Sequence, residues 1–201
     1  MIASLAEQPR MTPGRALVLA LVDQYAAAKS MIDPYTDSGT SHLELQKLLY
    51  FATLVAPDPR MVFAQAKYGP YSDAARHMVQ QMEGTFLEGY GDGNDRVLEL
   101  RPISVKPDGR RQLVAYMDGP ASVEVTRTLD RVLEIVSGFE GAYGVELLAT
   151  THWVATHENA RTPHAATAAV RRWSERKGRI FTSDHVASAL DHLRSVDAIG
   201  A

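Results

Sequence analysis

The 201-residue sequence contains no cysteine. That excludes disulfides, thiolate metal sites and cysteine nucleophiles, and it suits a reducing, cytoplasmic setting. Long apolar runs are missing as well. Residues 16–22 form a short one, far below the roughly 20 residues a membrane helix needs. The first residues lack the charged-then-apolar layout of a signal peptide. Charge of either sign is scarce in net terms, at −3, which is too mild to name a partner. The familiar catalytic signatures are absent too: no G-x-S-x-G, H-E-x-x-H, Walker A loop or G-x-G-x-x-G after a strand. The seven histidines make no metal set. His152 and His157 are five residues apart, which turns them about 140° from each other on a helix. His185 and His192 have no third ligand nearby in sequence. No metal, cofactor or catalytic residue is therefore expected, and no membrane partner.

What is present is a hydrophobic content of 45%, enough for one sizeable core. Residues 1–11 show no sustained period and read as a tail; residues 12–201 read as one folded unit. The period is helical through most of that unit. Thr12-Pro13 starts a helix carrying Val18, Leu21, Val22 and Tyr25 on one face. Ser41 and Glu44 form a capping box ahead of Leu45, Leu48, Leu49 and Ala52, and Pro57 and Pro59 stop that helix. Ala75, Met78, Val79 and Met82 mark a third helix. Later stripes run through Val125 to Val136, Val145 to Ala155, Ala166 to Trp173 with Gly178 as its stop, and Val186 to Leu193. Residues 62–66 suit a short strand, and residues 96–105 with 112–117 suggest a small hairpin. The expected fold is mainly α, about seven helices, with a minor β element.

Two loops flank the third helix. Tyr68-Gly69-Pro70-Tyr71 is a glycine–proline corner between two tyrosines. Gly89-Tyr90-Gly91-Asp92-Gly93 alternates glycine with Tyr90 and Asp92. Glycine permits positive φ and close backbone approach, so such a loop can present its side chains in a defined shape. From Glu83 to Glu99 the acids are Glu83, Glu88, Asp92, Asp95 and Glu99, against Arg96 as the base. Such a loop repels phosphate and suits a basic partner. Basic residues gather elsewhere: Arg101, Lys106, Arg110 and Arg111, then Arg171, Arg172, Arg176, Lys177 and Arg179 ahead of the last helix. Helix, basic turn and helix is the coarse layout of a nucleic-acid reader, although the chain as a whole stays acidic.

Four stretches together resemble a known family: residues 43–52 (LELQKLLYFA), 67–93, 138–158 and 171–193. They look like the C-terminal, toxin-neutralising domain of DarG antitoxins; the Leu-Gln-Lys-Leu-Leu-Tyr-Phe motif is shared with other antitoxin-like domains of the Panacea type. DarT toxins are NAD-dependent ADP-ribosyltransferases that modify thymidine in single-stranded DNA, and DarG proteins counter them with an N-terminal macrodomain and a toxin-binding C-terminal domain. The resemblance implies a non-enzymatic module without the macrodomain. It would occlude a DarT-like transferase by mimicking DNA, with no small-molecule substrate and with nucleic acid an unlikely partner. On that reading the toxin-binding set is Tyr68, Tyr71, Asp73, Glu83, Glu88, Tyr90, Asp92 and Asp95, held by Gly69, Pro70, Gly89, Gly91 and Gly93. A nucleic-acid-binding regulator using the C-terminal basic helices is the alternative, and an enzyme with an unrecognised site the third reading.

Overall fold

The computed structural model describes residues 9–32, 39–91 and 101–200. The chain opens with α1 (Pro13–Ile32) and α2 (His42–Val55). The capping box of α2 forms as its sequence demands: the Glu44 amide donates to Ser41 Oγ (3.2 Å) and the Ser41 amide to Glu44 Oε2 (2.6 Å). Glu44 also receives Lys29 of α1 (2.9 Å), so one carboxylate caps a helix and ties two helices together.

A two-stranded antiparallel sheet follows, β1 (Ala64–Ala66) and β2 (Gly69–Tyr71), with Gln65 opposite Pro70. Proline has no N–H to give a ladder, so it is tolerated in a ribbon this short. Then come α3 (Asp73–Gln80), β3 (Leu87–Glu88) and β4 (Ser104–Val105), the last two paired antiparallel.

The hairpin expected from residues 96–105 and 112–117 is not formed. Residues 107–117 are instead a helix, α4 (Pro107–Met117), begun by a proline in its first turn. Gly109 lies within it because α4 crosses the β3 segment closely: a Cβ there would sit 2.6 Å from the Phe86 carbonyl oxygen. Ser104–Val105 pairs with residues 87–88.

After a 3-10 turn at Pro120–Ser122, four helices complete the core: α5 (Val123–Val136), α6 (Ala142–His157), α7 (Pro163–Trp173) and α9 (Ser183–Ser195), with the short α8 (Glu175–Ile180) between the last two. Gly178 does not end α7. Ser174 does, and its side chain caps α8 by accepting from the Lys177 amide (3.2 Å). The described residues thus hold nine α-helices and two small ribbons around one core, where about seven helices were expected. The two extra ones are α4 and α8.

Helices α2 and α6 are the inner pair. Residues 44–52 of α2 are all buried, as is most of α6. A helix buried nearly all round carries its polar residues into the interior, where each needs a partner. Lys47, Glu146, Thr150 and His152 are such residues. No helix among the described residues is long and apolar enough to cross a membrane.

Candidate functional site

The Tyr68 corner lies over that buried polar seam. Gly69 has φ +98°, and a Cβ there would lie 3.2 Å from both Lys47 Cε and Thr150 Oγ1, so glycine is required on both counts. Pro70 offers its carbonyl to Lys47 Nζ (2.8 Å). Gln46 fixes the next residue from both sides: its Nε2 donates to the Ser72 carbonyl, and its Oε1 accepts the Ser72 amide, each at 3.1 Å.

Two cations grip one carboxylate beneath the corner, and a third basic side chain lies close by on the Pro70 carbonyl. Glu146 receives Lys177 Nζ (2.6 Å) and is gripped by both terminal nitrogens of Arg176 (2.7 and 3.3 Å). Lys177 also donates to Thr150 Oγ1 (3.1 Å). Lys47 is that third side chain, repelled by Lys177 and attracted by Glu146. Burial pushes the Lys47 ammonium down to about 7, Lys177 pushes the same way, and Glu146 opposes both. Burial also lowers Lys177, against the pull of Glu146. Removing one partner from so buried a pair costs about 3–5 kcal/mol, because the other charge is stranded.

The cluster reaches the surface through Arg176, whose side chain is 41% exposed. Its guanidinium lies 5.0 Å from the centre of the Tyr68 ring, and Lys67 Nζ lies 5.2 Å from it. Both are within cation–π range. Trp173 closes one side, donating from Nε1 to the Ala66 carbonyl (2.8 Å) and meeting Trp153 edge-on. Arg171, Arg172 and Arg179 are exposed on α7 and α8. The tertiary fold therefore joins two features that lie a hundred residues apart in sequence, the tyrosine corner and the C-terminal basic run.

The remaining sequence-selected residues lie elsewhere. Tyr71 is half-buried, with its hydroxyl pushed up chiefly by burial. Asp73 is exposed in the first turn of α3 and pairs with Arg76 at 3.4 Å. Tyr90 is not displayed by a glycine loop. It is 5% exposed, stacks on His42 with ring centres 4.2 Å apart, and has its hydroxyl pushed up to about 12 by burial.

Glu83 accepts the Tyr90 amide (3.1 Å) and Glu88 accepts the Ser104 hydroxyl (3.2 Å), so both carboxylates have structural duties. Gly89 and Gly91 have positive φ. Asp92, Gly93 and Asp95 lie outside the described residues. A groove of about 980 Å³ between α1, α2, α3 and α5 is lined by none of the selected residues. Among the described residues, no three His, Asp or Glu side chains come together to hold a metal.

Sequence reasoning named Arg176 and Lys177 only as members of a basic run, and missed Lys47 and Glu146. The available signal was a charged residue inside a helix that is apolar on every side, which forces an internal partner.

No family model matches the chain. It is 47% identical over 186 residues to a protein named DNA ADP-ribosyl glycohydrolase from Mycobacterium bovis, and equally so to one of the same name from Mycobacterium tuberculosis. It is 34% identical over 193 residues to a third protein of that name from Thermus aquaticus. These alignments cover 92–96% of this chain and 49–53% of the relatives, so the chain spans about half their length.

The relatives overturn the functional expectation. They bear the name of an enzyme rather than of a DarG C-terminal antitoxin domain, so the readings as a non-enzyme and as a DarT-like toxin's inhibitor fall. The expectation of no small-molecule substrate and an unlikely nucleic-acid partner falls with them, because the name joins DNA to ADP-ribose. Among the described residues, the loop also differs from what that reading drew. The acidic loop was to present free carboxylates and an exposed Tyr90, but Tyr90 is buried and Glu83 and Glu88 are engaged. The chain is similar over nearly its whole length to part of proteins named DNA ADP-ribosyl glycohydrolase.

Proposed function

We propose that this chain takes part in removing ADP-ribose from DNA, and that it holds the DNA-linked ADP-ribose on the face formed by Tyr68, Lys67 and Arg176. Such a substrate is a polyanion with flat bases. Its recognition needs cations for phosphate oxygens and planar groups for stacking. The observation that carries the reading is Arg176 seated on Tyr68 with Lys67 beside the same ring. The relatives' shared name supplies the reaction, and the cysteine-free composition suits a cytoplasmic location. The folded unit responsible starts at Thr12.

The test is fluorescence anisotropy with an ADP-ribosylated oligonucleotide and its unmodified twin, run beside a chromatographic assay for released ADP-ribose. The modified strand is expected to bind more tightly, with an affinity that falls as salt rises, and Arg176→Ala is expected to weaken it. Equal affinity for the two strands, or an Arg176→Ala variant that binds like the parent, would overturn the proposal.

A further inference from the structure

The groove between α1, α2, α3 and α5 is kept open by small side chains. Gly14 of α1, Ala52 and Ala56 at the end of α2, and Ala74 of α3 line it, where larger residues would fill the space. Its apolar floor includes the half-buried Leu17, Met61 and Met78. Methionine side chains adapt their shape to what lies against them. At about 980 Å³ the trough is at the upper end of the range for small-molecule sites. None of its lining residues belongs to the Tyr68 corner, so its occupancy is independent of the reading of that face.

Three helices present their first turn to the groove. Helices α3 and α5 each carry an acid in that turn, Asp73 and Glu124, which offsets the positive end of the helix. Helix α1 carries none, and Arg15 adds a cation close to its start. Arg15 donates to the Arg10 carbonyl (2.6 Å), an uncharged partner. The other arginine of the lining, Arg60, is held at two nitrogens by Asp58 (3.0 and 2.8 Å), so that pair cancels. His77 accepts a hydrogen bond from Arg76 (3.3 Å). The end of the groove at α1 is therefore its positive end.

The α5 wall supplies an independent sign of a ligand. Thr128 lines the groove and is 1% exposed, and its hydroxyl has no hydrogen-bond partner among the described residues. A buried hydroxyl left unmet is unfavourable, and a ligand that brings an oxygen relieves it.

We propose that this groove binds a free long-chain carboxylic acid. The apolar chain lies along Leu17, Met61 and Met78. The carboxylate sits between the first turn of α1 and Thr128, where Arg15 supplies the charge and the hydroxyl a hydrogen bond. A cationic amphiphile would meet Arg15 with like charge, and a small polar anion would leave the methionines in water.

The experiment titrates the chain with dodecanoate below its micelle concentration by isothermal calorimetry, with octanoate, decanoate and dodecyltrimethylammonium as comparisons. One dodecanoate per chain is expected to bind saturably, with affinity rising up to about fourfold per methylene along the acid series. The dodecyl cation is expected to bind roughly tenfold or more weakly. Ala74→Trp, at an exposed position on the rim, fills the trough and is expected to abolish binding. Thr128→Val removes the unmet hydroxyl at nearly constant shape. The empty variant is expected to melt no lower than the parent, and to bind dodecanoate roughly tenfold more weakly. A purely structural threonine would leave the affinity unchanged.

Circular dichroism fixes the folded fraction of each variant, and Arg15→Gln, with an expected loss of roughly tenfold, stands in for Thr128→Val should that fold poorly. Absence of saturable binding below the micelle concentration would overturn the proposal. So would equal affinity for the dodecyl cation, an affinity indifferent to chain length, or a folded Ala74→Trp protein that binds like the parent. Unchanged affinity in folded Thr128→Val or in its stand-in would do the same for the carboxylate's place.

Discussion

Replacing Lys47 with methionine isolates the cost of keeping an ammonium in the core. Methionine matches the unbranched stem and fills the same space without a charge. In the wild-type chain, burial and Lys177 bring Lys47 from its ordinary 10.5 to about 7. In the unfolded chain it keeps the ordinary value. Between those two pH values the unfolded state binds the extra proton, so wild-type stability rises with pH across the window. The slope is about 1.4 kcal/mol per pH unit, and about 5 kcal/mol in all.

The methionine variant carries no such term. Its own penalty is the Pro70 carbonyl left without a donor, about 1–3 kcal/mol and nearly constant with pH. The curves should therefore cross. The variant should be the more stable by about 2–4 kcal/mol at pH 7, and the wild type should overtake it towards pH 10, where a neutral Lys47 still donates its hydrogen bond at little titration cost. Urea unfolding at pH 7, 8, 9 and 10, compared at equal m-value, measures this directly. Parallel profiles would show that Lys47 does not titrate in this window and would refute the account of the seam.

Two further outcomes follow from other parts of the core. His152 is buried, accepts from the Tyr50 hydroxyl at Nδ1 (2.7 Å) and donates from Nε2 to the Ala198 carbonyl (3.2 Å), and burial pushes it down to about 4. The unfolded imidazole takes its proton first, so stability present above pH 6.5 should fall by about 3 kcal/mol as pH drops towards 4. His152→Gln should lose that acid dependence in urea titrations at pH 4, 5 and 6.5. Gly89 has φ +96°, and a Cβ there would lie 2.3 Å from the Pro102 carbonyl oxygen, so Gly89→Ala should cost at least about 1–3 kcal/mol of stability in a thermal melt; an unchanged midpoint would show that β3 can leave Pro102 freely.

Much of the helical architecture was legible because each signal was local. The Ser41–Glu44 box, the Thr12-Pro13 start and the stripe at Val125, Leu129, Val132 and Val136 need only neighbouring residues to be read, and each marks a helix in the structure. Helix α4 was misread because Pro107-Asp108-Gly109 is as good a turn as it is a helix start, and only the packing of Gly109 on Phe86 decides between them. The split between α7 and α8 was missed because Ser174 was overlooked as a cap in favour of Gly178. The candidate site was half visible. Tyr68 and Gly69 stood out by composition, and Arg176 by its basic run. Their meeting depends on Glu146, whose partners come from thirty residues further along the chain, and periodicity carries no information about such a contact. Tyr90 misled because a tyrosine between glycines looks displayed, whereas here the glycines let the backbone fold the ring inward onto His42.

The two tryptophans of this chain, Trp153 and Trp173, meet edge to face at 6.2 Å beside the Tyr68 corner. Tryptophan emission, selected by excitation at the red edge of the absorption band where the eight tyrosines do not absorb, therefore arises from that one neighbourhood. At this separation excitation passes readily between the rings, so the pair emits as a unit with low polarisation. Trp173 sees the Lys177 ammonium at 5.4 Å and gives its N–H to Ala66, while His157 lies flat on Trp153 at 3.8 Å. A proton gained or lost in the buried seam, or a shift of the β1 ribbon, changes the quenching of one partner and is shared with the other. The molecule thus carries its own optical reporter, without any added label, beside the buried polar seam.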